Sequence, residues 1–101
     1  MNEVRNVATR DPVSFRLGRL LATPGALSAL ETAGQTPQAF IERHRRGDWG
    51  EVGKEDWDAN QAALVQGTRL LSAYRTSKGV RIWIITEWNR SATTVLLPEE
   101  Y

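Results

Sequence analysis

Cysteine is absent from the 101 residues, so neither a disulfide framework nor a thiolate zinc site is available, and the chain suits a reducing compartment. Histidine occurs once, as His44, which leaves metal binding to carboxylates. Asp48, Glu51, Glu55, Asp56 and Asp58 lack calcium-loop spacing with its central glycine and terminal glutamate, so no metal is expected. No stretch approaches the roughly 20 apolar residues that cross a bilayer, and residues 1–14 hold no apolar run of signal-peptide length. The expectation is a cytoplasmic protein without membrane contact. Phosphate-binding and dinucleotide-binding glycine motifs and nucleophile elbows are also missing, so no cofactor is expected.

What is present suffices for one core. The hydrophobic fraction of 41% and four tryptophans argue against wholesale disorder, and the length suits a single domain. A formal charge of +1 is far from the basic excess of a protein held on nucleic acid by phosphate contacts. Residues 1–46 carry seven basic and four acidic side chains, and residues 47–101 six and eight. That division permits a bipolar surface, although blocks this short are common on solvated helix faces.

Residues 1–14 are polar, aperiodic and include Asp11-Pro12, and read as a flexible N-terminal arm before a single domain over 15–101. The segment FRLGRLLA, 15–22, reads as a short strand. Thr23-Pro24 and Thr36-Pro37 each start a helix, because threonine caps free N–H groups and proline has its φ preset for the first turn; Gly34 and Gly47 stop them. Leu27 and Leu30 share one face of the first, with Ala26 and Ala33 beside them, and the second buries Phe40 and Ile41. GDWGEVG reads as a tight loop that Trp49 plugs onto the core. A third helix over 54–66 places Trp57, Asn60 or Gln61, and Leu64 on one face, with Gly67 as terminator.

After Gly67 the period changes to two. TRLLSAYR, VRIWIITE and ATTVLLP are of strand length, and their short connections make them antiparallel neighbours. The predicted class is α+β: a short N-terminal strand, three short helices, then a three-stranded antiparallel meander packed on them. In the middle strand Ile82 and Ile84 face one way, and Trp83 and Ile85 the other. Both faces of the meander therefore need cover: the helices supply one, and the N-terminal segment, a partner protein or a second copy of the chain the other.

Two clusters carry possible chemistry. Arg43, His44, Arg45 and Arg46 end the second helix, where a histidine suits general acid–base work and arginines suit phosphate; basic residues there also complement the helix dipole. Thr86, Glu87, Asn89, Arg90, Ser91, Thr93 and Thr94 surround the last turn, where Arg90 can grip an anion and Glu87 can act as a base. These are equally the residues a turn and a strand use for themselves. The four tryptophans suit base stacking or, more commonly, core and interface anchoring.

The strings ATPGALSALETAG, IERHRRGDWGEV and RLLSAYRTSKGVRIWIITEWNRSATTVLLPEEY resemble a family of short plasmid-related proteins carried on bacterial plasmids, phages and integrative elements, over roughly residues 16–101. That resemblance implies a mobile-element context and, with it, counter-defence by direct binding. A weaker likeness is to ribonuclease toxins of the barnase, colicin and RelE-like group: helices precede a twisted antiparallel sheet, Arg43-His44 resembles a helical Arg-His pair, and TTVLLPEEY is similar to their final strand.

The expected protein is a non-enzymatic binder that inhibits a host defence complex, CRISPR or restriction. Arg43, Arg45, Arg46, Asp48, Trp49, Trp88 and Arg90 are its expected contacts, since arginine and aromatic side chains dominate hot spots. The alternative is a metal-independent ribonuclease with His44 as acid or base, Arg43 and Arg90 on phosphate, and Thr94 orienting. A third reading is an oligomeric regulatory or structural module, with a homodimer as partner.

Overall fold

The computed structural model describes residues 15–101, so the reading of 1–14 as an arm lies outside the described residues. Strand β1 is Arg19–Ala22, helices α1, α2 and α3 are Pro24–Thr32, Pro37–Arg45 and Lys54–Gln66, and strands β2, β3 and β4 are Leu70–Arg75, Arg81–Thr86 and Ala92–Leu96. A 3-10 turn follows at Pro98–Glu100.

The helix ends follow from local chemistry. The Thr23 hydroxyl accepts from the Ala26 N–H at 3.2 Å, and Pro24 occupies the first turn of α1. Thr36 is extended ahead of Pro37 in the same way but makes no side-chain cap bond. α3 begins after Gly53 with Glu55 and Asp56 at the positive end of its dipole, and stops at Gly67 in the left-handed region. Its buried side chains are Asn60 and Ala63, while Trp57 is exposed, which corrects the stripe expected from spacing.

The sheet is four-stranded and mixed, ordered β1-β4-β3-β2. The last three strands form the expected meander, but β1 joins it in parallel beside β4, with Leu21 opposite Thr94. This corrects the three-stranded description. The first strand is also shorter than expected, because Gly18 has φ +66° and any Cβ there would strike the Arg90 and Ser91 backbone.

One face of the sheet, the inner one, carries Ser72, Tyr74, Ile82, Ile84, Thr86, Thr93 and Val95 by register. Ala26 and Leu30 of α1 and Phe40 and Ile41 of α2 pack there with Tyr74, Ile82, Ile84 and Val95. A second cluster joins Trp49, Ala63 and Leu70, with Phe15, Val52 and Leu64 against it. Trp49 is fully buried and donates its indole N–H to Gln61 Oε1 at 2.9 Å. Glycine spacing around Trp49 thus does produce a loop plugged onto the core.

The free edge of β2 is closed by a device that uses no further strand. Asn60 Oδ1 accepts from the Leu71 N–H at 3.0 Å, and its amide donates to the Leu71 carbonyl at 2.7 Å. Two residues on, Ala73 donates to the Trp49 carbonyl at 3.0 Å and accepts from the Glu51 N–H at 2.6 Å. Gly50 sits between them at φ +76°, where a Cβ would collide with the Ala73 carbonyl and the Tyr74 ring. All the outward polar groups of Leu71 and Ala73 are satisfied, so this edge offers no template for another strand.

Asn60→Ala leaves one N–H and one C=O without partners beneath α3, at a cost of roughly 2–3 kcal/mol. A lower urea midpoint with unchanged slope is the expected result, and Asn60→Leu should not restore it, because apolar area does not replace the two bonds.

Candidate functional site

His44 lies on the inward stripe of α2 with Phe40 and Ile41, one helical turn on from Phe40, and is fully buried. Both ring nitrogens meet hydroxyls: Nδ1 is 2.6 Å from Ser72 Oγ and Nε2 is 2.8 Å from Thr86 Oγ1. Thr86 is in turn 2.7 Å from Thr93 Oγ1, and Thr93 donates to the Leu17 carbonyl at 2.7 Å. That carbonyl can only accept, which orients the whole series. Thr93 spends its proton on Leu17 and accepts from Thr86; Thr86 therefore accepts from Nε2–H, and Ser72 donates to Nδ1. The result is a one-directional ladder from β2 through α2, β3 and β4 to the segment before β1.

The ring is neutral within it. Burial, and secondarily the charge of Arg90, lowers the pKa of His44 from 6.5 to about 4. Phe15 and Trp49 pack edge-on against the imidazole, with centroids at 5.4 and 5.6 Å.

The other sequence-predicted residues are spread out. Arg43 pairs with Asp48 at 2.7 Å and lies 4.5 Å over the Tyr74 ring, so its guanidinium is held above its usual pKa and the Asp48 carboxyl below its own. Tyr74 donates to the Asp48 carbonyl at 2.6 Å, and burial pushes its phenol up to about 12. Arg45 and Arg46 both reach Glu42, at 2.8 and 3.8 Å. Arg90 takes φ +60°, the left-handed region, and its guanidinium donates to the carbonyls of Ala63, Thr68 and Glu87, tying the end of α3 to the β3–β4 turn. Thr94 lies on the face of the sheet opposite His44. His44, Arg43, Arg90 and Thr94 thus do not converge on one solvent-open point. Of the expected contacts Trp88 is freely exposed, at 65%, and Trp49 is not exposed at all.

The outer face gathers Thr94, Trp83 and Ile85 with arginines of β1, β2 and β3 that inspection of the sequence did not connect to them. Register places Arg19, Leu21, Leu71, Ala73, Arg75, Arg81, Trp83, Ile85, Thr94 and Leu96 there. Tyr101 packs on Trp83 with centroids at 5.9 Å, and Arg69 lies 5.5 Å over the Tyr101 ring. Every charged residue on the four strands is an arginine, and Arg19, Arg75 and Arg81 all share this face. Arg75 and Arg81 stand directly opposite each other, a like-charged pair that Glu51 offsets from one side at 2.9 Å from Arg75. The sequence does hold the signal: arginines 69, 75 and 81 and Trp83 share odd positions, but only the register shows that these meet. Among the described residues no group of three or more metal-ligating side chains comes together, and no helix is long and apolar enough to cross a membrane.

Comparison with family models, curated proteins and solved structures finds no match to this chain.

Because the folded pKa of His44 lies below its unfolded value, the ladder contributes its full stability above pH 6.5 and loses it as pH falls toward 4. That interval corresponds to a loss on the order of 3 kcal/mol. Urea unfolding at pH 7 and pH 4.5 measures it, and His44→Gln should be less stable at pH 7 and show a flatter pH dependence.

Proposed function

We propose that this chain is a non-enzymatic binding protein that meets its partner through the outer face of the sheet. The observation that carries the reading is the Arg75–Arg81 pair beside the Trp83–Tyr101 rings. Opposed like charges weaken a strand pair, and the exposed Arg75–Glu51 ion pair is their only offset among the described residues, a small one at that exposure. Arginine next to exposed aromatic surface is what dominates interface hot spots. His44, the one group with an ordinary pKa near neutrality, is committed to the interior ladder rather than facing solvent. The resemblance to mobile-element proteins suggests the partner: a bacterial defence complex, CRISPR or restriction, inhibited by occlusion. Trp88, exposed in the β3–β4 turn, extends the contact surface in this reading.

Arg81→Glu separates function from stability. It turns an opposed pair into an attractive one, so the thermal midpoint should stay level or rise slightly, while inhibition of a purified CRISPR effector or restriction enzyme should fall at least about tenfold. Trp83→Ala should weaken inhibition as well. Full inhibition by both folded variants would place the contact elsewhere, and a wild-type protein inert against both classes of complex would remove the reading.

A further inference from the structure

The two edges of the sheet are treated differently. β2 is closed by Asn60 and the 49–51 loop, whereas among the described residues no strand or side-chain cap pairs with the outer edge of β1. Its parallel pairing sends the Arg19 N–H to the Ser91 carbonyl and the Thr23 N–H to the Val95 carbonyl, both at 3.0 Å. In a parallel ladder the intervening residues, Leu20 and Ala22, then point their N–H and C=O groups away from β4. Leu20 is 52% and Leu21 41% exposed. Beside them lies an open apolar groove of about 170 Å³ between β1 and the helices, lined by Ala22, Leu27, Pro37 and Ile41 among others. An open edge with apolar side chains is a template for another strand.

We infer that the occupant of this edge is β1 of a second copy, paired antiparallel about a two-fold axis at Leu21. Three constraints select that register. Pairing in one continuous sheet must put outer-face residues opposite outer-face residues, so a residue must sit opposite itself. The outward groups of Leu20 and Ala22 must meet each other, which centring on Leu21 achieves twice over, giving four backbone hydrogen bonds. Centring on Leu20 would instead require Gly18 as a strand residue, and its φ of +66° forbids that.

The third constraint is charge. With Leu21 at the centre, Arg19 faces Thr23 of the other copy. The Thr23 hydroxyl donates to Glu100, which also accepts from the Gly25 and Leu97 N–H groups at 3.2 and 2.9 Å. These bonds hold the Glu100 carboxyl below its ordinary range. Among the described residues neither Arg19 nor Glu100 has an ion-pair partner of its own. The two-fold axis supplies both, two Arg19–Glu100 pairs flanking the Leu21 contact. Each Leu20 then lies opposite Ala22 of the other copy, at the mouth of its groove. The product is a continuous eight-stranded sheet with both free edges closed by Asn60.

The absence of cysteine makes the register directly testable. Identical residues at the axis form a non-hydrogen-bonded pair with Cα atoms roughly 4.5 Å apart, within disulfide reach, while two copies of residue 20 would lie roughly 8 Å apart, beyond it. Mild oxidation should therefore cross-link Leu21→Cys efficiently and Leu20→Cys poorly. Sedimentation equilibrium should show wild-type mass rising with concentration from 11.3 kDa toward twice that value. Leu21→Lys, which opposes like charges, and Ala22→Pro, which deletes an N–H without an acceptor among the described residues, should each weaken association about tenfold or more with the monomer still folded by circular dichroism. A monomer at every concentration overturns the inference, as it would if another segment of the chain covers the edge. A dimer insensitive to both substitutions, or one that cross-links through position 20, overturns it equally.

Discussion

A neutral imidazole accounts for much of how this structure is held. His44 enters from α2 between two strands and, as a neutral imidazole, accepts from Ser72 on β2 and donates to Thr86 on β3, so it bridges strands that its hydroxyl partners do not join directly. Through it a helix, three strands and the segment leading into β1 share a single hydrogen-bond direction. A half-satisfied series in this position would cost more than an apolar core, so the five groups stand or fall together. The arrangement also sets the packing around it, since Phe15 and Trp49 close on the ring edge-on and join the two hydrophobic clusters.

The elements that were legible in the sequence are those fixed by local chemistry. The Thr-Pro starts of α1 and α2, the glycine stops and the period-two runs after Gly67 each act within a few residues, and each appears where expected. The pairing of β1 with β4 was not legible, because it joins segments far apart in the chain and no turn encodes it. His44 was misleading for a related reason. Flanked by Arg43, Arg45 and Arg46 it reads as part of a solvated helix end, yet it occupies the inward position four residues after Phe40. Its partners Ser72, Thr86 and Thr93 pass as ordinary strand residues. The outer-face arginines stand one to a strand on β1, β2 and β3, so nothing within a strand marked them as a group and their convergence required the register.

The two faces of the sheet divide the labour. The inner face is filled by helices and by the polar ladder, and its geometry is overdetermined. The outer face carries Trp83 and Tyr101 among arginines, with the only acid bonded to a strand residue of that face being Glu51 on Arg75 among the described residues. Surfaces of that composition interact by shape and charge at little conformational cost, because the aromatic rings have few rotatable bonds and the strands that carry them are rigid.

Placing the first strand beside the last has a consequence for synthesis. As the chain leaves the ribosome, α1 and α2 emerge well before Ile82, Ile84 and Val95, the residues their apolar stripes need. The hairpins from β2 to β4 form from neighbours, but β1 finds its partner only when β4 is complete. Closure of the sheet is therefore a late, long-range step, and the first half of the protein waits exposed until the second arrives. In that interval the apolar stripes of α1 and α2 are open to aggregation, a hazard that the stability of the finished fold does not remove.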